Sequence, residues 1–256
     1  MTDASGVRLA LTLFTVAPVR GPREVTRSAA RTAVLLGPIV GAGLGALCGS
    51  ADLGLRHATG SPLLGAAVAL ALLALLTRGL HVDGLADTVD GLASHKPAHD
   101  ALAIMRRGDV GPLGATAVAA VLLIDVTALA ACRSPVAALT IAAMAGRLAV
   151  VRAALRSVPI AEGSTMGRTF GGTVAVPVMI VMTIAVIGVA LGLGLAAYPG
   201  PRGRTLTAVA VGVAIVVADL VRRHAVRRLG GVTGDVWGAL VELATAAALI
   251  VLATAR

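Results

Sequence analysis

Apolar runs alternate with short polar stretches along nearly the whole chain. A helix that crosses a bilayer needs about 20 mostly apolar residues. Seven runs meet or approach that length: residues 33–53, 62–78, 112–131, 134–151, 173–197, 205–221 and 236–254, the second and fourth being short. No polar stretch is long enough to fold as a separate soluble domain, and no internal repeat is evident. The pattern therefore predicts an all-α fold, a polytopic integral membrane helical bundle of about seven transmembrane helices, with residues 1–256 as one membrane domain. Within the first run, "GPIVGAGLGALCG" sets Gly41 and Gly45 four apart, which permits close helix packing. The opening stretch, "MTDASGVRLALTLFTVAPVR", has an apolar run too short to span, and no small-residue cleavage pattern follows it. It predicts an amphipathic segment on the membrane surface rather than a signal peptide.

Composition supports this reading. The chain is 57% hydrophobic and only 14% charged, against about 25% charged residues in a soluble domain. The net charge of +9 is scattered between apolar runs, which argues against a nucleic-acid partner. Its distribution points instead to orientation. Seventeen of the 22 Lys and Arg residues fall in the segments that seven spans would place on one side: the N-terminus, residues 78–111, 147–172 and 222–235. Arg56, Arg133, Arg202, Arg204 and Arg256 fall on the other. The positive-inside rule puts the first side in the cytoplasm. Cys48 and Cys132 lie in or beside apolar stretches and offer neither a disulfide framework nor a metal-binding spacing.

Against this background, "RGLHVDGLADTVDGLASHK" is anomalous. Asp83, Asp87 and Asp90 fall within about 60° of one another on a helix, a narrow acidic stripe on a cytoplasmic-face helix. Gly84 and Gly91 flank the stripe and leave backbone room for something bulky to approach. His81 falls on the far side if the helix already includes it. A solvated acidic face would gain nothing from like charges at helical spacing or from two glycines, each costing about 1 kcal/mol relative to alanine. Clustered carboxylates suit Mg²⁺, which takes one or two of them together with substrate phosphates.

Two further stretches carry chemistry. In "MRRGDVGPLG", Arg106, Arg107 and the glycines suit phosphate groups; a basic turn at the membrane edge is the plainer alternative. In "RRLGGVTGDVWGALVE", Thr233 and Asp235 stand at a helix start, where caps are ordinary. Glu242 lies two turns into an apolar run, a costly place for a carboxylate without a role. Asp219 has Arg222 and Arg223 in pairing range; Asp125 has no assignable role, relay and packing being equally open.

Together these stretches resemble the cobalamin synthase family. The resemblance rests on "HVDGLADTVDG" and "GGVTGDVWGALVE", with "LFTVAPV", "GPIVGAGLGAL" and "AEGSTMG" in the expected order over nearly the whole chain. Family members often read M-R-D-S-R-x-G where this chain has "MRRGDVG", so the acidic residue there corresponds to Asp109. The resemblance implies a Mg²⁺-dependent enzyme of the prokaryotic cell membrane with a cytoplasmic-face active site. It would join adenosylcobinamide-GDP to α-ribazole or its 5′-phosphate and release GMP. Asp83, Asp87 and Asp90 would hold the metal, and one of these carboxylates or His81 would accept the proton. Arg106 and Arg107 would steady the GMP phosphate. Gly84, Gly91, Asp109, Arg147, Thr233, Asp235 and Glu242 complete the candidate substrate-binding set. Membrane lipid is an expected partner, and a homo-oligomer is one allowed state. Two other readings compete: a CDP-alcohol phosphotransferase, weakened because Asp87 stands where that pattern has arginine, and a divalent-cation transporter with Asp125, Asp219 and Glu242 along its path.

Overall fold

The structure, a computed structural model, describes residues 4–198 and 201–255, without the side chains of Pro201 and Arg202. Arg202 and Arg256, counted above on the less basic side, thus lie outside the described side chains. Eleven helices are described: α1 (Ala4–Phe14), α2 (Arg27–Thr59), α3 (Pro62–Leu76), α4 (Leu80–Ala93), α5 (Ala98–Met105), α6 (Pro112–Ala131), α7 (Pro135–Ala153), α8 (Thr165–Phe170), α9 (Val176–Ala197), α10 (Pro201–Leu229) and α11 (Gly234–Leu252). Among the described residues there is no strand, only the isolated bridges Leu155–Val174 and Ile160–Val232.

Local chemistry sets the helix starts. Proline opens α3, α6 and α7, where its missing N–H costs nothing and its fixed φ favours the helix. Thr26 caps α2 and Ser61 caps α3, each side-chain oxygen accepting from a backbone N–H three residues on. Six helices, α2, α6, α7, α9, α10 and α11, are long and apolar enough to cross a membrane. Their outer faces expose large apolar side chains, Leu123 at 67% and Ile184 at 65% among them, as lipid-facing surfaces do. The chain is a multi-pass membrane protein.

The run predicted over 62–78 yields the short helix α3, about 22 Å long at 1.5 Å per residue. It still passes from one end of the bundle to the other. Gly65 in its first turn packs against Asp52 of α2, and Leu76 at its end accepts from Val16 N at 2.8 Å, beyond α1. Arg78 and Gly79 then adopt positive φ, 57° and 66°, and the axis turns by 88° into α4. The acidic helix therefore lies across the end of the bundle, outside the spans. The segment 222–235, expected as a loop, is largely the last turns of α10.

Inter-helix contacts sort the connections to two ends. At one end Phe14 stacks on His81, Arg106 reaches Glu162 and Arg228 reaches Lys96. At the other, Arg56 reaches Leu129, Ala130 and Cys132, and Tyr198 reaches Ser134. The core centres on α7, almost wholly buried. Gly41 and Gly45 do permit close packing there: a Cβ on either would stand 2.5 Å from a carbonyl oxygen of α7, Ala143 or Leu139. The N-terminal helix α1 buries Gly6, Leu9, Ala10 and Phe14, with Gly6 against Thr32 of α2. Asp219 pairs with Arg222 as its spacing allowed, and also with Arg152 of α7 at 2.5 Å.

Candidate functional site

The site forms where α4 crosses α11. Gly84 and Gly238 let the two backbones touch: a Cβ on Gly84 would stand 2.7 Å from Asp235 O, and one on Gly238 would stand 3.0 Å from His81 O. This corrects the expectation that Gly84 and Gly91 leave room for a substrate. The space beside Gly84 is filled by α11, and that beside Gly91 by Met105 of α5. Glycine spacing reveals a close approach, not which atoms make it.

The three carboxylates of α4 meet different surroundings. Asp90 accepts from Gly111 N at 2.7 Å and Gly114 N at 2.8 Å. It thereby ties α4 to the start of α6, where a negative charge also complements the helix dipole. Asp83 is exposed and Asp87 half-buried, and among the described residues neither forms a hydrogen bond or ion pair. Burial pushes the Asp87 carboxyl up from 3.8 to about 6, helped by the negative charges of Asp83, Asp235, Asp90 and Asp109. Those causes show that the predicted acidic residues do gather around Asp87, including Asp109 from the turn before α6.

Beside them lies a cleft of about 290 Å³, walled by Met105, Arg106, Gly163, Ser164, Thr233 and Asp235 among others. Arg106 is held by donating to Glu162 O at 2.7 Å. Arg107 is exposed and is not among the cleft's lining residues. Thr233 is the helix cap that its position suggested: its oxygen accepts from Val236 N and its hydroxyl donates to Asp235 Oδ2, both at 3.2 Å. It also lines the cleft, so capping and site placement coincide.

A smaller pocket of about 50 Å³ adjoins the cleft, sharing Met166, Gly234 and Asp235 with it. Phe14, His81, Asp83 and Trp237 also line it. The His81 ring lies 6.3 Å from that of Phe14, tilted by 25°. Burial, then the Arg147 charge, holds the imidazole well below its ordinary basicity, so it is neutral. Phe14, Ser164, Met166 and Trp237 were not picked out from sequence. Their signal was present in "LFTVAPV", "AEGSTMG" and "GDVW", the last holding the chain's one tryptophan.

Arg147 and Glu242 do not join the cleft. Arg147, counted above with the basic surface, is 2% exposed, and its Nη1 donates to Ala143 O at 3.4 Å. With Glu242, Asp125, Thr77 and Thr245 it lines a separate cavity of about 20 Å³ inside the bundle. A guanidinium in that cavity opposes its use as a cation path. Sequence patterning placed both residues near the right end of the bundle but could not give their depth.

Among the described residues no three His, Cys, Asp or Glu side chains stand close enough to cage an ion. That arrangement suits Mg²⁺, which is ordinarily held by one or two carboxylates and completed by water and substrate phosphates. Asp83 and Asp87, free of protein partners and crowded by like charge, supply such a pair.

Comparison with known proteins agrees across the chain. The family model described as cobalamin-5-phosphate synthase matches residues 6–253. A protein of Frankia casuarinae named adenosylcobinamide-GDP ribazoletransferase is 42% identical over 96% of this chain and 93% of its own length. Proteins of the same name from Nocardioides sp. and Roseiflexus sp. are 40% and 32% identical, each over 95% of this chain and over 96% and 87% of their own lengths. No solved structure matches.

Proposed function

The chain belongs to the cobalamin-5-phosphate synthase family, and on that premise we propose that it transfers the cobinamide phosphate of adenosylcobinamide-GDP to α-ribazole or its 5′-phosphate. GMP is the leaving group. The observation that carries this reading is the convergence at one end of the bundle of three separate stretches: the carboxylates of α4, Arg106 after α5 and Thr233–Asp235 of α11. The active site faces the cytoplasm, because all but one of the arginines and lysines counted on the richer side belong to that end; Arg147 is the buried exception. A cysteine at Ser94 should resist an impermeant thiol reagent added outside intact cells; labelling there would reverse the orientation.

In the reaction, an oxygen of the acceptor forms a bond to the cobinamide-side phosphorus while the pyrophosphate bond to GMP breaks. Such transfers depend chiefly on alignment and charge neutralisation. Asp83 and Asp87 would hold Mg²⁺, which offsets the pyrophosphate charge when bound. Arg106, fixed by Glu162 O, binds the departing phosphate. Asp235, oriented by Thr233, takes the acceptor's proton when the acceptor is a hydroxyl. Asp90, whose two oxygens are engaged by amides, anchors α6 instead of acting as ligand or base. The bulky donor rests along a groove of about 880 Å³ lined by Arg78, Val82, Asp83, Ala86 and Val118 among others. The deciding measurement is Mg²⁺-dependent GMP release from adenosylcobinamide-GDP and α-ribazole by the purified protein in nanodiscs. Absence of release with either acceptor would overturn the assignment.

A further inference from the structure

The pocket beside Asp83 and Asp235 has a composition that the transfer chemistry alone does not require. Phe14, Leu13, Val34, Val150 and Met166 give it apolar walls. Two polar side chains line it deep in the protein, His81 at 3% and Trp237 at 5% exposure. Both ring nitrogens of His81 and Nε1 of Trp237 are buried without a hydrogen-bond partner. Buried N–H groups ordinarily find acceptors, and a neutral imidazole must carry one N–H besides the indole's. The pocket thus holds two donors without an acceptor, inside flat apolar walls.

We propose that this pocket seats the aromatic base of the acceptor riboside, and so selects a benzimidazole-type base over a purine. The inference rests on the function proposed above. A dimethylbenzimidazole has two apolar faces, an apolar rim and one ring nitrogen free of ribose that accepts a hydrogen bond; Trp237 Nε1 supplies the donor. A purine such as adenine would bring an exocyclic amine into walls that offer it few partners, and desolvating that group is unfavourable. The pocket holds about 50 Å³ and continues into the cleft of about 290 Å³, which suits a bicyclic base and its ribose and excludes a corrin macrocycle. With the base seated, the ribose lies beside Asp83 and Asp235, where its oxygen must react.

Trp237 is the chain's one tryptophan, so its fluorescence reports on this pocket alone. Excited beyond the benzimidazole absorption band, the wild-type protein in nanodiscs should show saturable quenching by α-ribazole. Adenosine should act about tenfold more weakly or not at all, as expected for one mismatched polar group. Trp237→Phe keeps a ring and removes the N–H. It should raise the KM for α-ribazole about tenfold while leaving kcat and the KM for adenosylcobinamide-GDP unchanged. GMP release with no fluorescence response at saturating α-ribazole, or an equal response to adenosine, overturns the inference and leaves the proposed function standing. An unchanged KM in Trp237→Phe also overturns it. If that variant fails to insert, the wild-type titration decides; since binding needs no turnover, it reads the pocket even where GMP release fails.

Discussion

Asp52 and Asp87 stand at opposite ends of one bundle, in opposite surroundings. Asp52 is wholly buried, and Arg56 grips it with two hydrogen bonds, at 2.5 and 2.8 Å. The same guanidinium donates to Leu129, Ala130 and Cys132 O at the end of α6, where a cation also complements the helix dipole. Charge and hydrogen bonds are satisfied within the protein, so the pair serves to join α2 to α6. Asp87 sits among four other carboxylates with no ion-pair partner among the described residues. A fold that neutralises one acid so thoroughly and leaves the other crowded by like charge has reserved the second for a ligand. The pairing state of the carboxylate, more than its presence in a membrane protein, separates structure from chemistry.

The largest effect expected from that contrast is on turnover. Asp83→Asn and Asp87→Asn should each lower GMP release about 100-fold or more, the scale seen when one charge-stabilising group is removed, with membrane insertion unchanged. Near-normal turnover in both would erase the difference between the two ends.

Arg56→Ala tests the opposite end. It leaves Asp52 buried and unpaired, which should cost about 3 kcal/mol of stability, read as a lower unfolding temperature in detergent. Turnover per folded molecule should stay near wild type. A loss of turnover matching that of Asp87→Asn, with unfolding unchanged, would break the comparison.

A smaller effect concerns pH. The raised Asp87 carboxyl, at about 6 against 3.8, lets the folded chain keep a proton that the unfolded chain has lost. Without a divalent cation, stability should therefore fall as pH rises through that window. Cation binding competes with the same proton, so the Mg²⁺ needed for half-maximal rate should rise up to about tenfold per unit as pH drops below about 6. A flat Mg²⁺ requirement across that range would remove Asp87 from the metal's ligands.

Much of the molecule was legible along the chain. The spans follow from run length, because backbone groups in lipid must be satisfied within helices. The acidic stripe follows from helical spacing, and the packing of α2 on α7 from Gly41 and Gly45. Less legible was where a span stops: α3 ends at Leu76 because Arg78 and Gly79 take left-handed backbone conformations, although the apolar pattern runs on. Partners were least legible. Asp83, Asp87 and Asp90 look alike on a helix face, yet Asp90 is claimed by amides of Gly111 and Gly114. Gly84 looked open to a substrate, yet Asp235 fills its side.

The sequence by itself determined the helices, their membrane character and the residue types gathered near one end, since these depend on local periodicity and on the cost of polar groups in lipid. The tertiary structure alone decided which of those residues remain free to act. It sank Arg147 and Glu242 into an enclosed cavity, turned α4 across the bundle end and brought Phe14 and Trp237 to one pocket. A side chain's availability depends on neighbours supplied from far along the chain, and helical spacing carries no information about them.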